Sequence, residues 1–231
     1  MRIESEEWKN LIIEGAEALG LPVDRVFADQ LAIHAAELIS WAKKINLTTI
    51  TNPFEIGIKH YLDSLIPAPL IPAGASLLDI GTGGGFPGIP LKILLPSLSV
   101  TLIDASRKKV SFLKHVIRTL KLTGIEARQI RAEDLARQVR FRHAFEVIVS
   151  RALAALDAFI VMALPLLAPK GILIALKGQT RPEDVETALE NALSNLAIPE
   201  LRRDGFALKV EDYVLPMSEA TRSIIIIRHV R

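Results

Sequence analysis

The sequence contains no cysteine, and its 231 residues include only two tryptophans and two tyrosines. The missing thiols exclude disulfides, thiolate metal sites and any reaction that needs a cysteine nucleophile. The few large aromatic rings leave little surface on which nucleic-acid bases could stack. No apolar stretch approaches the roughly 18 residues of a membrane span, and no secretory signal is visible. A cytoplasmic protein without a membrane anchor is therefore expected.

Net charge is also small, at +2. Positive charge is nevertheless concentrated between Arg107 and Arg142, where eleven lysines and arginines accompany three acids. Such a patch on a nearly neutral chain is typical of a protein that binds a polyanion. A solvated helix face would have the same composition, so both interpretations stay open. The five histidines are scattered without metal-like spacing, and no metal site is predicted.

The pattern of hydrophobic residues changes near residue 70. Before it, helical periodicity predicts three helices, and a proline-rich linker follows at residues 67–74. After it, short apolar runs alternate with helical segments, which predicts an α/β fold with a mostly parallel, doubly wound sheet. We therefore predict an N-terminal helical extension, residues 1–70, and a larger domain, residues 71–231.

Local signals place the individual elements. In the extension, Gly20 is expected to end the first helix, and Pro22 to lie in the first turn of the second. Asn52, Pro53 and Glu55 resemble the capped start of a third helix that reaches about Leu65. In the larger domain, the predicted strands are Ser76–Ile80, Val100–Ile103, Ile125–Ile130, Val147–Val149 and Ile172–Leu176, with a final hairpin of Phe206–Leu215 and Ser223–Val230. The predicted helices are Phe86–Leu95, Ser106–Leu120, Glu133–Arg140, Leu156–Leu167 and Pro182–Leu196.

A glycine-rich turn from Asp79 to Gly88 follows the first predicted strand and opens a helix. Glycines such as Gly81 and Gly83 let a ligand approach the backbone without meeting a Cβ atom. The carboxylate of Asp79 would repel a dinucleotide pyrophosphate, but it suits a ligand with an ammonium and a sulfonium group. S-adenosylmethionine is such a ligand, and we predict it as the cofactor.

Two later strand ends carry further candidates for cofactor binding. Asp104 ends the second strand, where a carboxylate can accept hydrogen bonds from ribose hydroxyls. It could instead cap the helix that begins near Ser106. Ala132 and Glu133 follow the third strand and could face an adenine edge, although Glu133 would also suit a helix N-terminus.

The fourth strand ends in Ser150, Arg151 and Ala152, at the edge where such sheets place their sites. Many amino-directed DNA methyltransferases have Asn or Asp, two prolines and an aromatic residue there. Ser-Arg-Ala in place of that motif, together with the absence of cysteine, favours a ring nitrogen as the methyl acceptor. Such a nitrogen has its own lone pair and does not have to lose a proton before it attacks. Arg151 could orient a carboxylate or a base carbonyl, or could be a surface ion-pair partner.

Several separate motifs resemble the bacterial small-subunit ribosomal RNA methyltransferase G family, also called glucose-inhibited division protein B. The similarity is near full length. The matching segments are Asn46–Thr48, Lys59–Leu65, the turn Asp79–Pro90 with its Phe-Pro-Gly-Ile-Pro ending, Ser150–Ala152 and Leu176–Gly178.

This resemblance implies a Rossmann-like class I methyltransferase with a seven-stranded sheet. It implies methylation of a guanine N7 in the decoding-region loop of 16S ribosomal RNA, either free or in the small subunit. It also implies cofactor contacts at Gly81, Phe86, Asp104, Ala105, Ser106, Ala132, Glu133 and Arg151. His60, Arg151 and Lys177 would line the substrate side.

Two alternatives come from other classes of protein. An NAD(P)-dependent oxidoreductase could use the same sheet, but Asp79 disfavours it, and neither Tyr61 nor Tyr213 is followed by lysine in a Tyr-x-x-x-Lys pair. A non-catalytic RNA-binding protein would not need the glycine turn. We expect the protein to act as a monomer.

Overall fold

The computed structural model describes residues 1–151, 155–196 and 202–230. They form a seven-stranded sheet with helices on both faces, preceded by a group of helices. The predicted α/β class is confirmed. Within the described ranges, no helix is both long enough and apolar enough to cross a bilayer.

The first two helices of the N-terminal group are capped by polar side chains. Helix α1, Glu6–Ala18, begins after Ser5, and Gly20 follows its end with a φ of +72° as predicted. Helix α2, Arg25–Ala42, begins after Asp24, whose carboxylate accepts from the Phe27 N–H. The prediction that Pro22 lies in the first turn of this helix is wrong, because the N-cap is Asp24, two residues after Pro22, and the helix begins at Arg25.

The third predicted helix exists but is not uniform. Asn52 caps its start, with Oδ1 accepting from the N–H groups of Phe54 and Glu55. The Glu55 side chain pairs with Lys59. The helical path consists of α3 (Pro53–Ile56), a π-helical turn (Gly57–Leu62) and α4 (Asp63–Leu65). Wider turns of this kind often lie at functional sites, and this one contains His60.

The sheet has the order β3-β2-β1-β4-β5-β7-β6. Its first five strands run parallel, and β5, β7 and β6 pair antiparallel, so the predicted final hairpin is confirmed. The strands are β1 (Ser76–Ile80), β2 (Ser99–Asp104), β3 (Ile125–Gln129), β4 (Phe145–Arg151), β5 (Leu167–Gly178), β6 (Phe206–Val214) and β7 (Thr221–His229).

Apolar side chains alternate between the two faces of the sheet and build a core on each. Leu77 packs with the N-terminal helices on one face, whereas Leu78 packs with the helices on the other. Burial of one such side chain stabilises the fold by about 1.5–3 kcal/mol. The flanking helices are α5 (Gly88–Leu94), α6 (Arg107–Thr119), α7 (Ala132–Arg137), α8 (Leu156–Ala163) and α9 (Pro182–Leu196). The N-terminal helices share the first of these cores, and the division at residue 70 stays a prediction.

Candidate active site

The glycine turn between β1 and α5 depends on backbone conformations that favour glycine. Gly83 and Gly85 have φ angles of 57° and 92°. A Cβ atom at Gly85 would also lie 2.5 Å from Ile89 Cδ1. The turn therefore requires glycine, and it lies at the carboxyl edge of the sheet, where doubly wound folds bind ligands.

Asp79 lies beneath this turn and is fully buried. Its Oδ2 accepts hydrogen bonds from the Thr82 hydroxyl at 2.7 Å and from the Gly88 N–H at 2.8 Å. Its Oδ1 is buried with no hydrogen-bond donor among the described residues. Burial raises the pKa of the Asp79 carboxyl to about 6, against the opposing effect of the two hydrogen bonds. One carboxylate oxygen thus braces the turn, and the other has no donor.

Asp104 braces the same turn from the end of β2. Its Oδ2 accepts from the Gly83 N–H at 3.2 Å, and its Oδ1 accepts from the Ser106 N–H at 2.8 Å. The N-cap of α6 is Ser106, and Asp104 supports that start as well. Asp104 therefore has the structural role at the start of α6 that the sequence suggested. Its carboxylate remains accessible to a ligand, because Asp104 also lines a cleft.

This cleft opens at the carboxyl ends of the first three strands and encloses about 200 Å³. Its volume is below the roughly 300–1,000 Å³ of whole-ligand pockets, and it suits the nucleoside part of a ligand. Its walls are mainly apolar, and a carboxylate lies at each of two strand ends. The lining residues of this β1–β3 cleft are Ile80, Gly81, Ile103, Asp104, Ala105, Ile130, Arg131, Ala132, Glu133 and Met162.

Five of the residues predicted to bind cofactor meet in the β1–β3 cleft, namely Gly81, Asp104, Ala105, Ala132 and Glu133. The remaining five, Asp79, Gly83, Phe86, Ser106 and Arg151, do not line it. Gly83 and Ser106 instead donate to the Asp104 carboxylate.

Sequence reasoning missed the apolar walls of the cleft. Ile80, Ile103 and Ile130 each lie at or next to the end of a predicted strand, so strand ends were a usable signal for them. Met162 comes from α8, and no local pattern in the sequence marks it.

Phe86 lies away from the cleft, between the N-terminal helices and β4. Its ring stacks on the His60 ring, with centroids 4.8 Å apart and planes at 19°. The guanidinium Cζ of Arg151 lies 4.9 Å from the Phe86 centroid, within cation–π range. The aromatic residue of the glycine turn thus holds the turn against the N-terminal helices.

Arg151 is bonded inward, to the π-helical turn and α4. Its Nη1 donates to the Lys59 carbonyl at 2.6 Å and lies 3.3 Å from Asp63 Oδ2. Its Nη2 donates to His60 Nδ1 at 3.0 Å. Ala152, the third residue of the predicted Ser-Arg-Ala block, lies outside the described residues.

Asp63 is the centre of these contacts and is completely buried. Its Oδ1 accepts from the Tyr213 hydroxyl at 2.7 Å, and its Oδ2 also lies 3.1 Å from Arg222 Nη1. We call Asp63, His60, Arg151, Tyr213 and Arg222 the Asp63 cluster. Sequence reasoning did not assign Asp63, Tyr213 or Arg222 to the site, although Asp63 lies in the same matched segment as His60.

Both ring nitrogens of His60 are occupied. Nδ1 accepts from Arg151, so Nε2 carries the proton and donates to the Thr48 hydroxyl at 2.7 Å. Burial, followed by the nearby charge of Arg151, lowers the pKa of His60 to about 3. His60 is therefore neutral at physiological pH and has no free nitrogen for proton transfer.

Lys177 lies near the end of β5, half-buried, and pairs in register with Ser223 of β7. Its neighbour Leu176 pairs with Arg151 of β4. The three residues predicted for the substrate side, His60, Arg151 and Lys177, are therefore grouped near one part of the sheet edge, beside the β1–β3 cleft rather than inside it.

Comparison with known proteins agrees with this geometry. The family model for rRNA small subunit methyltransferase G matches residues 28–202. The chain belongs to this family. Ribosomal RNA small subunit methyltransferase G from Geobacter sp. strain M21 is 41% identical over 219 residues, covering 95% of this chain and 96% of the relative. The protein of the same name from Geobacter metallireducens is 42% identical over 221 residues, covering 96% of each chain.

Solved structures with low sequence identity support the fold of this chain. A SAM-dependent methyltransferase from Aquifex aeolicus has a TM-score of 0.53 at 16% identity, covering 82% of this chain and 97% of that one. The P. horikoshii TYW2 in complex with MeSAdo has a TM-score of 0.55 at 12% identity, covering 73% and 62%. The predicted class I methyltransferase fold is confirmed.

Proposed function

We propose that this protein transfers a methyl group from S-adenosylmethionine to N7 of a guanine in the decoding-region loop of 16S ribosomal RNA. The observation that carries the proposal is the β1–β3 cleft, where an apolar pocket of nucleoside size is bordered by Asp104 and Glu133. Family membership supports the rRNA substrate.

The residues of the cleft fit the adenosine part of S-adenosylmethionine. The apolar walls at Ile80, Ile103 and Ile130 would cover the faces of an adenine ring. Asp104 uses its oxygens for two backbone N–H groups, yet a carboxylate offers about four lone-pair sites, so it can also accept from ribose hydroxyls. Glu133 would serve the same nucleoside from the end of β3.

The methionine part would lie over the glycine turn. Gly81 lines the cleft without a side chain and permits close approach. The Asp79 Oδ1 atom has no donor, which suits an interaction with the cofactor's ammonium group. When bound, S-adenosylmethionine supplies a methyl group activated by a sulfonium.

The substrate side would work by positioning. Guanine N7 has its own lone pair and no proton to lose, so no general base is required. The neutral His60, with both nitrogens engaged, suits such a reaction. Arg151 and Lys177 would provide positive charge near the entering RNA, with Arg151 held in place by Lys59 and Asp63.

We also infer that the protein acts in the cytoplasm, where ribosomal RNA is modified, and that it acts as a monomer. Its exposed large apolar side chains are dispersed over several elements, including Val26 on α2 and Val214 on β6. Dispersed apolar residues are normal for a monomer. Sedimentation of the purified protein would measure its state, and a dimer at micromolar concentration would contradict the inference.

The test of function is methyl transfer from labelled S-adenosylmethionine to naked 16S ribosomal RNA and, separately, to small subunits. We expect label in one guanine, and chain scission at N7-methylguanine should map it. Label on a base-carbon or exocyclic nitrogen would overturn the assigned acceptor. Calorimetry should show binding of S-adenosylmethionine and none of NADH; the reverse would establish the oxidoreductase alternative.

A further inference from the structure

Helix α6 presents a row of three cations and one serine on its outer face. Arg107, Ser111, Lys114 and Arg118 follow one another at intervals of four, three and four residues, so they share one face of the helix. All four are exposed, whereas Phe112 and its neighbours pack inward. The row extends about 16 Å, at 1.5 Å per residue.

A groove of about 630 Å³ lies between this helix and strand β3. We call it the α6–β3 groove; it is lined by Lys114, Ile117 and Arg118 of α6 and by residues 125–129 of β3. Among the described strands, β3 pairs with β2 alone and forms one edge of the sheet. Its outer side therefore leaves backbone N–H groups that can donate to a ligand.

Two of the three cations that line the groove are not neutralised by acids. Lys114 and Arg118 form no ion pair within the part of the chain that the structure describes. Glu126 is the single acid lining the groove, and it is bonded through both oxygens to Arg128, at 2.7 and 2.8 Å. The groove therefore keeps a net positive charge from two uncompensated side chains.

The groove leads towards the β1–β3 cleft. Strand β3 lines the groove and ends at Gln129, and the next residues, Ile130 and Arg131, line the cleft. The Gln129 side chain also lies 3.5 Å from the carbonyl of Ala105, another cleft residue. A polyanion lying along β3 would therefore pass beside the cleft that is proposed to hold the cofactor.

We propose that the α6–β3 groove binds the sugar–phosphate backbone of the substrate RNA beside the cofactor cleft. This rests on the proposed function for the identity of the RNA. Uncompensated cations and free N–H donors are the groups that hold phosphates, and they read no base sequence. The groove thus supplies affinity and orientation, and it does not select the base.

The test is the double charge reversal Lys114→Glu with Arg118→Glu, compared with the wild type for binding to a 16S ribosomal RNA transcript. Loss of two phosphate contacts should reduce the slope of log affinity against log salt by about 1.4–1.8. Affinity at moderate salt should fall about ten-fold or more. The KM for RNA should rise, while kcat and S-adenosylmethionine affinity stay unchanged.

Two control proteins separate a local effect from a general one. Lys209→Glu with Arg228→Glu makes the same charge change on exposed residues of β6 and β7, at the opposite edge of the sheet. It should keep the wild-type salt slope. Lys114→Arg with Arg118→Lys preserves the charge and should bind within about two-fold of wild type, since phosphate contacts depend mainly on charge.

The outcomes are distinguishable from those of the proposed function, because binding needs no turnover. Wild-type methylation together with an unchanged salt slope in the charge-reversed protein would overturn the groove and leave the function standing. In another outcome, the charge reversal weakens binding to assembled subunits and leaves binding to naked RNA unchanged. That result would assign the groove to a protein partner and contradict our proposal. If the wild-type protein does not methylate the RNA but the charge-reversed protein still shows a reduced salt slope, the proposed function is overturned and the groove stands.

Discussion

The β1–β3 cleft and the Asp63 cluster both place a carboxylate among polar groups near the carboxyl edge of the sheet, but they use it differently. Asp104 accepts from two backbone N–H groups and lies 3.9 Å from Lys109 Nζ, and its side chain is 10% exposed at the cleft. Asp63 is 0% exposed and accepts from Tyr213, Arg151 and Arg222. The first carboxylate can still take a ligand, whereas the second is already saturated by the protein.

The difference shows that a charged residue at a strand end is not by itself a ligand-binding residue. Asp104 ends β2 and Arg151 ends β4, on either side of β1, yet Arg151 donates to the protein's own groups. A stability role for the Asp63 cluster and a binding role for the cleft therefore make separable predictions.

The largest effect is expected from Asp63→Ala. It would leave Arg151 and Arg222 partly buried without their counter-charge, at a cost of about 3–5 kcal/mol in the free energy of unfolding. Denaturant unfolding measures this. The control Asp134→Ala removes an exposed pair with Arg137 and should change stability by no more than about 0.5 kcal/mol. If the two variants lost the same free energy of unfolding, the Asp63 cluster would contribute no more to stability than an exposed ion pair.

A smaller effect, and on binding rather than on folding, is expected from Asp104→Asn. The amide keeps the shape of the carboxylate but has no charge to strengthen its hydrogen bonds to ribose hydroxyls. A hydrogen bond to a charged group contributes about 1.5–3 kcal/mol. S-adenosylmethionine affinity measured by calorimetry should fall about 10- to 100-fold. Asp134→Asn serves again as the control. Unchanged affinity for Asp104→Asn would remove this residue from the cofactor site.

Asp79 should make stability depend on pH. Its pKa is raised from 3.8 to about 6 in the folded protein, so between these values the folded state holds a proton that the unfolded chain has released. Stability therefore falls as pH rises through this window, by roughly 2–3 kcal/mol for this group. Asp79→Asn should lack this component. The measurement is the free energy of unfolding of the wild type and of Asp79→Asn from pH 4 to 7. A difference between the two proteins that does not change with pH would contradict the raised pKa of Asp79.

The smallest expected change is at His60. Because its pKa is lowered to about 3, its ring should not titrate between pH 5 and 8. Nitrogen chemical shifts in NMR should report one neutral tautomer, with the proton on Nε2, across that range. A protonation step near pH 6.5 would mean that Arg151 does not hold the ring and that His60 is free to exchange protons.

Most of the fold follows from local sequence patterns. Strand β1 and helix α9 occur at the predicted residues, because proline and polar residues bound a clear apolar pattern in each. Strand β5 spans Leu167–Gly178, well beyond the predicted Ile172–Leu176. Its extra length comes from pairing with β4 on one side and β7 on the other, which its own composition does not indicate.

The candidate site divides in the same way. The cofactor residues follow predicted strands directly, so topology alone brings Gly81, Asp104 and Glu133 together. The π-helical turn and the Asp63 cluster join residues up to 159 positions apart, as for Arg222 with Asp63. No periodicity in a single sequence encodes such contacts. The sequence therefore did not indicate that the Arg151 guanidinium is bonded to the protein's own groups.

The position of β7 has a consequence for synthesis on the ribosome. Strand β6 is made before β7, yet β7 lies between β5 and β6 and supplies Arg222 to Asp63. Until Thr221–His229 has emerged, β5 is an open, apolar edge and β6 has no strand in the sheet to join. A nascent chain stopped before Thr221 would therefore be exposed to aggregation, because the sheet is completed only by β7, the last of the described strands along the chain.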